Sequence, residues 1–291
     1  LPRLPWPARG SHMFLSAITG ICLAAHTPGF EPLWRHEGFD GPESVISDGR
    51  GGYYVSNVNG GAGEANGEGY LTRLDADGAV IGARRWADGL NAPKGLAMTG
   101  GRLFVTDIDS LVAIDPDDGR VLQRYPVEGA RFLNDAAAHD SRILVSDSGA
   151  GRIYMLDGGT VSLWLEDAAL AGVNGLWPEA DRLLVTTMER GEILAIDWHT
   201  RSIEVLADGL PDADGIARTS GGGYVISQWP GDVWYWNEGE PPRRIFERRD
   251  PPVLMNDLTI VEDRVIIPHW SPGAVSAWQL TCPQDDGLKR K

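Results

Sequence analysis

Residues 141–167 read SRILVSDSGAGRIYMLDGGTVSLWLED. Three short runs rich in β-branched and aromatic residues are separated by SGAG and DGG, which predicts consecutive antiparallel strands joined by tight turns. The texture recurs along the chain. GGYYVSNV (51–58), GRLFVTDI (101–108), DRLLVTTM (181–188), GGYVISQW (222–229) and DRVIIPHW (263–270) each repeat the pattern of SRILVSDS (141–148). Upstream of each lies one polar residue near the start of a short apolar strand. These residues are Glu43, Lys94, Asn134, Asn174, Asp214 and Asn256, spaced 51, 40, 40, 40 and 42 residues apart. The long first interval holds a glycine-rich insertion, NGGAGEANGEG (59–69), which opens no helix and so does not read as a phosphate-binding turn.

A repeat of about 40 residues carrying four strands is the mark of a β-propeller. Five repeats supply four strands each, and the sixth stops after its third. EPLWRHEG (31–38) has the texture of an outer strand and precedes repeat one. The fold class predicted is therefore all-β: a six-bladed β-propeller with four-stranded blades, its N-terminal strand closing the last blade. The domain plan that follows is a propeller over 31–280, preceded by residues 1–30 and followed by a polar tail over 281–291. In the first segment RGSHM (9–13) reads as the scar of a cleaved purification tag. FLSAITGICLAAH (14–26) reads as a signal-peptide core, which predicts a periplasmic or secreted protein.

Composition agrees with this plan and excludes other classes. The 291 residues carry 26 Lys and Arg against 41 Asp and Glu, a formal charge of −15 that argues against a nucleic-acid partner. The 37 Gly and 19 Pro suit many short strands and turns. Cys22 and Cys282 form no CxxC motif or disulfide framework. No apolar run reaches the roughly 18 residues that a membrane-spanning helix requires. The partner expected is a small-molecule substrate, and the chain is expected to be a monomer.

In a propeller the first strand of each blade lines the central channel, so the six equivalent polar residues converge on the axis. Two carboxylates, three amides and an ammonium meet there. Such groups must be satisfied by one another, by water or by an ion. Two carboxylates with neutral amide oxygens suit a hard divalent cation, and Ca²⁺ tolerates the irregular geometry that separate blades impose. A water-filled polar plug is the alternative. The ends of the second strands form another set in register: Asn57, Asp107, Asp147, Thr187, Gln228 and His269, each 13 or 14 residues after its ring partner. A hairpin of that length returns to its starting end, so these residues should rim the same mouth. Asp107, Asp147 and His269 are candidates there for general acid or base work.

GPES with Glu43, FLND with Asn134, VNGL with Asn174, DADG with Asp214 and the VSDSGAGRIY stretch resemble the calcium-dependent propellers that include senescence marker protein (regucalcin), the gluconolactonases, diisopropylfluorophosphatase and the paraoxonases. The resemblance covers roughly residues 31 to 280. It implies that Glu43, Asn174 and Asp214 bind the catalytic metal, with Asn134 a fourth ligand or a substrate contact. It further implies that Asp214 doubles as base or nucleophile, and that His269 matches the blade-six histidine of the phosphatase-like members. Two departures stand out. Arg131 lies three residues before Asn134 where the gluconolactonases place an arginine two before, and Lys94 is an unusual neighbour for a cation. Lys94 is expected to reach Asp107 or to bind a substrate carboxylate.

The function expected is a metal-dependent hydrolase of a lactone or related ester, with catalytic Asp214, His269 and Asp147, substrate contacts Asn134, Arg131 and Lys94, and metal ligands Glu43, Asn134, Asn174 and Asp214. No GxSxG elbow is present for a serine hydrolase. The alternative is a non-catalytic binding or scaffold propeller with a structural ion, holding ligands at its blade loops through Trp177, Trp229 and Trp270. The fold hosts both kinds of function and does not choose between them.

Overall fold

The computed structural model describes residues 28–247 and 253–281. The readings for residues 1–27 and for the tail beyond Thr281 lie outside the described residues.

Six antiparallel sheets stand around one axis, and the first five are simple meanders. Blade one comprises Pro42–Ser47, Tyr53–Asn57, Gly69–Leu74 and Ala87–Leu90, and blade two Pro93–Thr99, Arg102–Asp107, Ser110–Ile114 and Val121–Pro126. Blade three runs from Leu133–His139 to Thr160–Glu166, blade four from Val173–Pro178 to Ile203–Ala207, and blade five from Ala213–Arg218 to Arg243–Phe246. In blade six the chain's first strand, Gly29–Glu37, is outermost. It pairs along its length with Ala274–Thr281, from Gly29 opposite Thr281 to Glu37 opposite Ala274. The ring is thus closed as the sequence predicts. The helical content among the described residues is a single 3₁₀ turn, Ala168–Leu170. No helix there is long and apolar enough to cross a membrane.

Hairpin turns follow from aspartates that cap their own backbone. Asp75 accepts the amides of Asp77 and Ala79, and Asp197 those of His199 and Thr200. The apolar residues of each strand pack between neighbouring sheets rather than into one central core. Blade three meets blade four through Leu144, Ile153, Val173 and Leu194. Blade six meets blade one through Ile266, Val275, Phe39 and Val55, so the closing interface is built like the others.

One local device repeats in every inner strand. Register with the second strand breaks between Pro42 and Val45, Pro93 and Leu96, Leu133 and Ala136, Val173 and Leu176, and Ala213 and Ile216. In blade six the inner strand is split into Leu254–Met255 and Thr259–Val261. In blades one to five the residues skipped are the ring residue and its successor, and in blade six Leu258 is skipped with them. A bulge re-aims side chains out of the sheet's alternation, and here it does so at the axis in all six blades.

Candidate functional site

The ring predicted from the 40-residue period is present as a buried tier. Glu43, Lys94, Asn134, Asn174, Asp214 and Asn256 are 8, 2, 7, 2, 6 and 4% exposed. Asn174 Nδ2 reaches the Met188 sulfur at 3.2 Å, and the side chain favours the ionised form of the neighbouring Asp214 carboxyl. Asn134 donates from Nδ2 to Ser148 Oγ at 3.2 Å. Both amides are therefore anchored through nitrogen, which leaves their oxygens as acceptors. Asn256 differs, because its Nδ2 donates to the Pro42 carbonyl at 3.1 Å and stitches blade six to blade one.

Beneath this ring lies a second tier that the sequence reading missed. The successors of the ring residues are Ser44, Gly95, Asp135, Gly175, Gly215 and Asp257. A Cβ on Gly95 would stand 2.4 Å from the Asp135 Cα, and one on Gly215 2.2 Å from an Asp257 carboxylate oxygen. Adjacent inner strands thus touch backbone to backbone, and space remains at this level for two acids. Asp135 accepts the amides of Ala136 and Leu176, both at 2.7 Å. Asp257 accepts the Leu258 amide at 2.7 Å and the Ser44 hydroxyl at 2.5 Å. A readable signal existed in the dipeptide Asn-Asp, which occurs at the same repeat position in blades three and six.

Four carboxyls are therefore gathered in the channel, Glu43 and Asp214 buried at the ring and Asp135 and Asp257 partly exposed at the cavity beside it. Burial pushes Glu43 well above the usual carboxylate range, and Asp214 adds to the shift while Lys94 opposes it. Burial, then the charge of Asp257, does the same to Asp214 and to Asp135. Asp257 is pushed up by burial to about 6. Without a cation this cluster is a store of unfavourable charge. Among the described residues no three His, Cys, Asp or Glu side chains stand close enough together to hold a metal ion. A cation here would have to be held by a mixed set: the carboxylates of Glu43 and Asp214 with the amide oxygens of Asn134 and Asn174. That chemistry fits a hard oxygen-seeking dication.

The rim set is in the predicted register: Asn57, Asp107 and Asp147 pair with Pro42, Pro93 and Leu133, each the residue before a ring member. Its side chains serve another purpose. Asp147 accepts the amides of Arg131 and Phe132, both at 2.9 Å, and of Ala150 at 3.1 Å. Asp107 likewise accepts Asn91 N at 2.8 Å and Ala92 N at 2.9 Å, with Arg124 at 3.2 Å from its other oxygen. These carboxylates clamp the loop that leads into their own blade's inner strand. Arg131 is held there by its backbone while its side chain is exposed. His269 lies inside blade six, its Nε2 2.6 Å from Ser276 Oγ and its Nδ1 without a partner among the described residues. Burial, helped by Arg35, lowers its pKa to about 3, so the ring stays neutral near pH 7. Trp177 sits on an inner strand rather than a blade loop, and Trp270 packs beside Gly41.

The mouth above the ring is occupied by the glycine-rich insertion. Lys94 turns away from Asp107 and donates from Nζ to Ala62 O at 2.7 Å and to Ala92 O at 3.1 Å, with Nζ 4.4 Å from the centre of the Phe132 ring. A cavity of about 250 Å³ fills the other half of the channel. Its walls include Leu96, Leu176, Trp177 and Ile216, with Asp135 and Asp257 at its inner end.

Comparison with known proteins bears on the fold. A family model described as outer membrane protein assembly factor BamB matches residues 67–161. No curated protein matches the chain. Among solved structures it is similar to a gluconolactonase from Xanthomonas campestris, with 17% identity, a TM-score of 0.65, and coverage of 89% of this chain and 97% of that one. A virginiamycin B lyase from Staphylococcus aureus, solved as a catalytically inactive variant with quinupristin, is 13% identical with a TM-score of 0.58 and coverage of 86% and 99%. The β-propeller domain of Cps50 (Swd1) from Myceliophteria thermophila is 12% identical with a TM-score of 0.61 and coverage of 87% and 100%. A gluconolactonase, a lyase and a β-propeller domain share this fold, which at such identities is all that the likeness carries.

Proposed function

We propose that this propeller is a metal-dependent hydrolase of lactones or related esters, of the regucalcin and gluconolactonase kind, with Ca²⁺ as its resident ion. One observation carries the reading: two desolvated carboxyls, Glu43 and Asp214, share a tier of the channel with Asn134 and Asn174, whose amides are held through nitrogen. These four residues would hold the ion. Bound there, it supplies Lewis acidity to a substrate carbonyl and offsets the clustered negative charge.

The chain's own residues do the rest. Asp214, ionised once a cation offsets the clustered charge, would take a proton from a water whose oxygen bonds to the substrate's carbonyl carbon, and would return it to the alkoxide released as the ester C–O bond breaks. Glu43 supplies the second negative charge of the donor set. The buried surroundings keep bulk water from screening these interactions. His269 and Asp147 belong to this reading as supports of the blade-six and blade-three sheets beside the site rather than as proton carriers. The export reading of residues 14–26 belongs to the same proposal.

The second reading, a binding or scaffold propeller, is favoured by the family match over residues 67–161. A screen of lactones and aryl esters separates the two. Hydrolysis that disappears on chelation and returns with added Ca²⁺ is expected. Turnover of no ester with full Ca²⁺ loading would leave the scaffold reading.

A further inference from the structure

Two oddities of the sequence meet at one contact. The ring contains a lysine, and the first repeat alone carries an eleven-residue insertion, 59–69. Lys94 is 2% exposed, yet its hydrogen bonds go to two neutral carbonyls, and no ion pair forms at its ammonium among the described residues. A buried charge is ordinarily paired, because its lost hydration is costly; here two carbonyls and the face of the Phe132 ring, 4.4 Å from Nζ, offset that cost without an opposite charge at contact distance. Glu43 and Asp107 act on it only through the field. One of its two acceptors, Ala92 O, belongs to its own blade and is fixed. The other, Ala62 O, belongs to the insertion, 32 residues away in the chain.

The insertion is bonded largely to itself, and its ends are anchored to the neighbouring chain by Asn59 N to Asp40 O at 2.9 Å and Gly67 N to Asn91 Oδ1 at 3.2 Å. Its ends are tied together, Asn59 Nδ2 donating to Glu68 O at 3.1 Å and Asn66 Nδ2 to Asn59 O at 3.1 Å. Gly61 N is held by the loop's own Glu64 at 3.0 Å. The tip reaches the channel mouth through Lys94 and through Gly63, where an added Cβ would lie 3.8 Å from the Phe132 ring.

We infer that Lys94 is the receptor for a carboxylate on the ligand, that this carboxylate takes the place of the Ala62 carbonyl, and that the tip of the insertion, residues 61–66, swings aside as it does so. The inference names the substrate class for the function proposed above and rests on that reading for the site's use. A charge-assisted bond to carboxylate is stronger than one to a neutral amide oxygen, which gives the exchange its direction. A single ammonium beside four acids favours a monoanion over a dianionic phosphate.

Glycolate, the neutral isostere glycolamide and inorganic phosphate, titrated into the full chain and followed by amide NMR shifts, test this. Glycolate is expected to bind at least tenfold more tightly than glycolamide and more tightly than phosphate. Lys94→Met should weaken glycolate at least tenfold and leave glycolamide within about twofold. Deleting residues 61–66 removes the competing carbonyl and should tighten glycolate by threefold or more, a result that stands even if Lys94→Met does not fold. In the wild-type chain glycolate should speed hydrogen exchange at amides 61–66 and not in the inner strands. Equal binding of glycolate and glycolamide, tighter binding of phosphate, or unchanged glycolate affinity in Lys94→Met would overturn the inference. Calcium affinity is measured separately: Lys94-dependent glycolate binding in a chain that binds no Ca²⁺ sinks the hydrolase reading alone.

Discussion

Asp135 and Asp257 stand on blades three and six, opposite one another across the channel, each directly after a ring asparagine and each fully dependent on main-chain amides or a serine hydroxyl for its hydrogen bonds. Burial raises both, and the charge of Asp257 is the largest electrostatic influence on Asp135. The channel is therefore acidic through two tiers, Glu43 and Asp214 above and this pair below.

That arrangement fixes the sign of a pH effect. The folded chain keeps protons on Glu43, Asp135, Asp214 and Asp257 at pH values where the unfolded chain has released them. Stability from these groups is then complete below the ordinary carboxylate range and is lost as pH rises through the folded value, about 6 for Asp257. A shift of that size is worth about 3 kcal/mol. In chelator, the thermal midpoint should fall between pH 4.5 and 7.5, and Asp257→Asn should flatten the fall. A midpoint that rises over that range would contradict the account.

Asp147 carries a different expectation. It satisfies three loop amides, so Asp147→Ala should cost about 2–4 kcal/mol in denaturant unfolding while leaving Ca²⁺ affinity within about twofold. A large loss of metal affinity in a stably folded variant would return Asp147 to the channel chemistry.

His269 gives the converse case. Held neutral and bonded to Ser276, it contributes no proton between pH 5 and 8. His269→Asn should lower turnover by less than about tenfold and leave the pH–rate profile unchanged; loss of ~10² or more is the mark of a positioned acid or base and would reverse this assignment.

How much of this was legible in the sequence depends on what sets each feature. The blades and the ring follow from a 40-residue period, and a period is visible in one chain without any contact being known. The bulges are not visible, so the reading found one residue per blade at the axis where the fold brings two. It found Glu43 and missed Asp257. The rim register was read correctly from hairpin length, but the side chains of Asp107 and Asp147 answer to unpaired amides at Asn91–Ala92 and Arg131–Phe132, and those depend on the path of a loop. The acceptor of Lys94 lies in an insertion whose glycines carry no pattern of their own.

Closure of the ring was legible and is open to a stability test. Removing residues 29–37 strips the outer partner of Ala274–Thr281, leaving it paired only with Arg264–Ser271, and removes the Phe30 ring stacked 4.7 Å from Trp278. Phe30 and Trp34 are partly buried, and each contributes at most roughly 1.5–3 kcal/mol, the value for full burial. The truncated chain should aggregate or melt many degrees lower; one that melts within two degrees of the parent would refute the closure.

The central claim is that Glu43, Asn134, Asn174 and Asp214 form a cation site on the propeller axis. Calorimetric titration of Ca²⁺ into the chelator-stripped chain and into Asp214→Ala measures it directly. The account predicts one Ca²⁺ bound per chain, with affinity reduced about tenfold or more in Asp214→Ala because half the carboxylate charge of the donor set is gone. Equal Ca²⁺ affinity in the two proteins, or none in either, would contradict it.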